Sequence, residues 1–154
     1  MKTVKYLIII ILITYGCGFK IMKKSELHNF FIESVEITGN KKIGFNLKNK
    51  LLSKTGNKLK NKVNLIIDIK KKKSIKEKDS SNAISKYLIT LNLTVRVEGD
   101  KKSKTFSLSE QKDFNSTSQY SQSIINENQT IKLITNLMVE KILREISFIN
   151  FNDL

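Results

Sequence analysis

Proline and tryptophan are absent from the 154 residues, cysteine and histidine occur once each, and Arg96 and Arg144 are the only arginines among 28 basic residues. Each scarcity closes a route. Without proline, the breaks between elements fall to glycine, asparagine and serine. With one cysteine no internal disulfide can form, so stability must come from a buried core, which a chain of this length can build. The lone histidine, His28, has neither a metal cluster nor a nucleophile and base at recognisable spacing around it, and reads as an exposed side chain. The six glycines (16, 18, 39, 44, 56 and 99) are scattered, which excludes a glycine-rich phosphate loop. Two arginines leave bidentate phosphate reading without its preferred residue. The expectation is a protein with no catalytic residues, no metal and no cofactor.

What is present begins with the cysteine. Lys2 and Lys5 give a positive start, Tyr6 to Ile13 is an apolar run, and Thr14-Tyr15-Gly16-Cys17 follows. The run is too short to span a bilayer, which takes about 20 apolar residues. A basic start, a short apolar core and a small residue before a cysteine make a bacterial lipoprotein signal peptide, with residues 1–16 removed and Cys17 lipidated on its sulfur. Thr14 and Tyr15 depart from the usual leucine and small residue. The alternatives are a secretory signal without lipid, or an uncleaved anchor with Cys17 as a buried thiol.

The net charge of +14 is unevenly placed. Residues 41–78 hold 14 lysines against Asp68 and Glu77, whereas residues 17–40 and 79–154 are each balanced. Abundant lysine, isoleucine and asparagine also reflect an AT-rich coding bias. A concentration in one stretch exceeds what drift would give, and fits a basic surface for phosphorylated lipid or another acidic partner. The bland reading is a solvated loop whose charges block edge pairing.

Along the chain, residues 17–30 read as the lipidated N-terminus and tether, and residues 31–150 as one domain. Phe31 to Thr38 alternates as a strand. Lys41 to Lys54 repeats Ile43, Leu47 and Leu51 at helical spacing, with Leu52 and Phe45 widening the stripe and Gly56 as a stop. Val63 to Ile69 and Tyr87 to Val97 alternate with a period of two and predict paired antiparallel strands, with Asp68 on the solvated face. Lys71 to Asn82 is a long hairpin tip or a disordered loop. A turn at Gly99-Asp100-Lys101-Lys102 leads into a strand over Lys104 to Leu108, Gln111 to Ser123 has no clear period, and Ser121 to Ser147 is a long helix with Ile124, Ile131, Ile134, Leu137, Met138, Ile142 and Ile146 as its stripe. The fold expected is α+β: a four-stranded, mostly antiparallel sheet with two amphipathic helices on one face, in the order β-α-β-β-β-α.

The lipobox ending Gly16-Cys17-Gly18-Phe19, this element order, the Ser/Asn-rich stretch with Tyr120 and the closing helix through Leu137-Met138-Val139-Glu140-Lys141-Ile142-Leu143 together resemble the LPS-assembly lipoprotein family, LptE. The resemblance spans nearly the whole mature chain. It implies a non-enzymatic lipoprotein held by lipid at the periplasmic side of the outer membrane, partnering the β-barrel LptD as plug and folding factor and contacting lipopolysaccharide. The missing proline after Cys-Gly-Phe and the lysine-rich segment depart from the family. No family binding motif falls on particular positions. Charge alone nominates Lys70, Lys71, Lys72, Lys73, Lys101, Lys102 and Lys104 as lipopolysaccharide-binding, through ammoniums facing lipid A phosphates. Two further readings stay open: another small outer-membrane or periplasmic lipoprotein with a structural or assembly role, and a secreted basic module for acidic polymer or nucleic acid.

Overall fold

The alternation of Val63, Leu65, Ile67 and Ile69 with polar neighbours places all four on one face of a strand, and each is buried. In the computed structural model, which describes residues 30–55, 61–100 and 102–149, this strand is β2 (Asn61–Lys78). It pairs antiparallel with β3 (Ile84–Glu98), setting Leu65 opposite Val97, Ile67 opposite Val95 and Ile69 opposite Leu93. β3 pairs antiparallel with β4 (Ser103–Asn115), and β1 (Phe30–Gly39) lies parallel to β2 on the other side. The sheet order is β1-β2-β3-β4, and two helices complete the chain, α1 (Lys41–Lys54) and α2 (Tyr120–Ser147). The expected α+β architecture and element order are those observed. Residues 1–16, Cys17 and His28 lie outside the described residues.

A parallel pair needs a long crossover, and α1 supplies it between β1 and β2. The entry is set by Gly39, whose φ of +80° suits glycine and whose missing side chain leaves room for the Ile69 carbonyl. That carbonyl accepts from Asn40 N–H at 3.1 Å, and Asn40 Oδ1 caps the helix by accepting from Ile43 N–H at 3.1 Å. One turn on, Gly44 lets the helix approach the strand: a Cβ there would overlap Ile37 Cγ2. Ile43, Leu47 and Leu51 face the sheet as expected, but Phe45 is 66% exposed and Leu52 also faces outward. They sit roughly opposite the buried stripe at 100° per residue, so they do not widen it.

In β1 the apolar residues change parity, from Phe30 and Ile32 to Val35 and Ile37. A register shift between Ile32 and Ser34 inserts Glu33 as an extra residue, so both sets face the core. On α2 the buried stripe is Thr130, Ile134, Thr135, Met138, Val139, Ile142, Leu143 and Ile146. Ile124 and Leu137, expected inside, are largely exposed. Thr135 is tolerated inside because its hydroxyl donates to the Ile131 carbonyl at 2.7 Å, leaving no orphan donor.

The segment expected as a hairpin tip or loop from Lys71 to Asn82 is mostly strand. β2 runs on to Lys78, with Lys71 opposite Leu91, Lys73 opposite Ile89 and Ile75 opposite Tyr87. The turn is short, and the Asp79 carboxylate fixes it by accepting from the N–H groups of Ser81 and Ala83, each at 2.9 Å, while Asn82 takes φ +65°. β4 likewise continues through Gln111 to Asn115, burying Phe114.

Both helices pack on the face carrying Leu65, Ile67, Leu93 and Val95. Among the described residues no element covers the opposite face. It presents Thr38, Asn64, Asp68, Lys70, Lys72, Thr90, Asn92, Thr94, Arg96, Ser107 and Ser109, with Ile66 and Leu88 as its apolar members.

Candidate functional site

Strand alternation splits the nominated lysines. Lys71 and Lys73 continue the core-facing parity of β2 past Ile69, while Lys70 and Lys72 point to the uncovered face. Lys102 and Lys104 lie at the β3–β4 turn, where Gly99 N–H donates to the Lys102 carbonyl at 3.0 Å. Lys101 lies outside the described residues. Lys104 stands opposite Val97, whereas Lys70 stands opposite Asn92. Five residues of strand therefore part Lys104 from the row of Lys70, roughly 17 Å at about 3.4 Å per residue. They also occupy opposite faces, so the structure does not gather these lysines into one patch.

Lys71 and Lys73 meet a partner that the sequence did not suggest. Glu127 of α2 receives Lys71 Nζ at 2.9 Å on one carboxylate oxygen and Lys73 Nζ at 2.6 Å on the other. Lys73 Nζ also lies 4.3 Å from the centroid of the Tyr87 ring, which stacks on Phe114 at 5.5 Å. The Glu127 side chain is only 19% exposed. That partial burial pushes its carboxyl up, and the hydrogen bonds from Lys73 and Lys71 outweigh it, holding the group below the usual carboxylate range. This cluster pins the first half of α2 to the far end of the sheet. On the uncovered face, Lys70 Nζ lies 3.8 Å from Asp68, which accepts from the Thr38 hydroxyl at 3.0 Å. Lys72 has no carboxylate within ion-pair distance among the described residues.

The two helices run parallel, because Lys50 bonds Asn136 and Lys54 bonds Glu140 at the same sequence offset. Those bonds close one end of the seam between them. Toward the start of α1 the helices part around a cavity of about 550 Å³. Ile43, Ile124 and Ile131 supply its apolar lining, Lys42, Lys50, Lys71 and Lys132 its cations, and Glu127 its single carboxylate. The first turn of α1 holds Lys41 and Lys42 and no acid, cations where the helix dipole favours anions. A smaller cavity of about 240 Å³ lies on the other side of Glu127, against Lys73, Tyr87 and Tyr120. Among the described residues no three His, Cys, Asp or Glu side chains are grouped to hold a metal. Nor is any described helix long and apolar enough to cross a membrane. The cavity escaped sequence reading because its walls come from three segments, residues 40–50, Lys71 and residues 124–135; the legible signal was the run of lysines at 41–50.

No protein-family model matches the chain, and no curated protein matches it in sequence. The fold does have likenesses among solved structures. The rare lipoprotein B from Shewanella oneidensis shares it at a TM-score of 0.50 and 11% identity, covering 74% of this chain and 93% of that one. A candidate lipoprotein from Caulobacter crescentus CB15 does so at a TM-score of 0.53 and 12% identity, covering 80% and 91%. At such identities the likeness is one of fold.

Proposed function

We propose that the chain is a lipoprotein anchored through Cys17 at the periplasmic side of the outer membrane, where it partners an LptD-type β-barrel as plug and folding factor in lipopolysaccharide assembly. Its role is non-enzymatic. The observation that carries this reading is the fold held in common with the rare lipoprotein B, joined to the Gly16-Cys17 signature of the sequence. The β-α-β-β-β-α order read from the residue periodicity, one of the features on which the LptE resemblance rests, is the order observed.

The uncovered sheet face adds a physical reason. A domain lodged in the lumen of a large barrel meets a polar wall. Thr38, Asn64, Thr90, Asn92, Thr94 and Ser107 present hydroxyls and amides in register across four strands, a polar surface able to exchange hydrogen bonds with such a wall. An apolar face there would instead favour packing against another sheet or helix. Lys70 and Lys72 project from the same face and, unlike Lys71 and Lys73, can reach a ligand without giving up Glu127.

The test is affinity capture of the tagged chain from detergent-solubilised outer membrane, with mass spectrometry of the associated proteins and intact-mass analysis of the chain. The reading predicts a large β-barrel in near-stoichiometric yield and a lipid-modified Cys17. An unmodified Cys17 removes the anchor. Lipidation without a barrel leaves the broader reading of a small envelope lipoprotein with another assembly role.

A further inference from the structure

The geometry points to a binding site between α1 and α2 for a single-chain amphiphile with a phosphate head, in the cavity lined by Ile43, Ile124 and Ile131 and ringed by lysines. This goes beyond the barrel partnership and stands without it, since every wall belongs to this chain.

The size and lining set the class of ligand. About 550 Å³ lies within the usual range for small-molecule sites, and it admits one acyl chain rather than the several of a lipid A. Ile124 and Ile131, with the edge of the buried Ile43, offer surface that only an apolar group can use, because water gains nothing there.

Charge sets the head group. Four lysines line the cavity against one carboxylate, and Glu127 already serves Lys71 and Lys73 together. Lys50 bonds a neutral amide, Asn136. Lys42 and Lys132 have no carboxylate within ion-pair distance among the described residues, and both are exposed at the cavity. Cations contributed by α1, α2 and β2 to one concave site repel one another, and its walls focus their field. An anion of two charges relieves that repulsion and takes charge-assisted hydrogen bonds from Lys42 and Lys132, which have no carboxylate partner among the described residues. Lysine suits this role as a point charge for phosphate.

The test uses the full chain in zwitterionic nanodiscs, labelled with a photoactivatable dodecyl phosphate and mapped by mass spectrometry. Saturable adducts are expected within residues 40–50 and 124–135, displaced by unlabelled dodecyl phosphate and not by inorganic phosphate. Replacing the two lysines at the cavity that lack a carboxylate, as Lys42→Gln with Lys132→Gln, is expected to cut that labelling about tenfold. Ile124→Trp, which fills the cavity from a half-exposed position, is expected to do the same with the charge intact. A neutral dodecyl maltoside probe that labels these segments equally well overturns the charge argument, and displacement by inorganic phosphate alone overturns the amphiphile. Adducts spread along the chain overturn the site itself. The experiment contains no barrel, so its failure and a failed barrel capture are separate results.

Discussion

Replacing Glu127 by glutamine removes one charge and almost no volume, which isolates the electrostatic part of the cluster that holds α2 to β2. In the native protein the carboxylate takes Lys71 at 2.9 Å and Lys73 at 2.6 Å in a position only 19% exposed. An exposed ion pair contributes about 0–1 kcal/mol, and breaking a fully buried one costs about 3–5 kcal/mol. Glu127 lies between these limits and serves two lysines, so Glu127→Gln is expected to cost about 1–2 kcal/mol at neutral pH. Urea denaturation followed by circular dichroism reads this as a lower midpoint with an unchanged slope. The difference must also depend on pH. The folded carboxyl titrates below its ordinary value of 4.5, so the unfolded chain binds the proton more tightly than the folded one. Its stabilisation is therefore fully present above about pH 4.5 and is lost as pH falls through the folded value. Wild type and variant should differ at pH 7, and the difference should shrink as pH falls below about 4.5. Equal midpoints at pH 7, or a difference that persists undiminished at pH 3, would show that the charge on Glu127 does not hold α2 to β2.

Other perturbations test separate parts of the structure. Gly44→Ala places a methyl group against Ile37 Cγ2, and Ile37→Ala removes that atom, so the double variant should be more stable than the sum of the two single losses in a double-mutant cycle. Gly39→Ala meets the Ile69 carbonyl and a φ of +80°; it should cost about 1–2 kcal/mol from the left-handed backbone alone, read by thermal melting, with no side-chain change able to restore it. Ile67→Ala deletes a fully buried side chain in the central strand pair and should cost about 2–5 kcal/mol by urea denaturation. The pair Lys70→Gln and Lys72→Gln should weaken lipopolysaccharide binding and flatten its salt dependence without moving the melting temperature. Unchanged binding across salt concentrations would remove these two lysines from the ligand's path.

Legibility followed the source of each constraint. α1 was readable because the i, i+4, i+8 repeat of Ile43, Leu47 and Leu51 is local, while the cap that Asn40 supplies showed only in the structure. The central strands were readable where one face is apolar. Past Ile69 that signal stops, yet β2 continues for nine residues because β3 presents Leu91, Ile89 and Tyr87 in register, and partners so distant in sequence leave no period in β2 itself. The change of parity in β1 hides for the same reason: only pairing with β2 shows that Glu33 is the extra residue. Threonines 130 and 135 were passed over for the α2 stripe because a polar residue type masked a buried position, whereas Leu137 was included although packing leaves it outside. The lysine concentration was legible, but its division between two faces was not, since it depends on strand parity in a segment without an apolar marker. Glu127 carried no signal at all, being one carboxylate among polar neighbours until the fold set it over Lys71 and Lys73.

The proposed function sets this domain against a β-barrel through its uncovered sheet. Site-specific photo-cross-linking in living cells tests this placement, with the cross-linker at Thr94 or Ser107 on that face and, for comparison, at Asn49 on the outer side of α1. A cross-linked species with a large outer-membrane β-barrel is expected from both sheet positions. Sheet positions that yield no barrel adduct, while the protein is present and lipidated in the outer membrane, would contradict it.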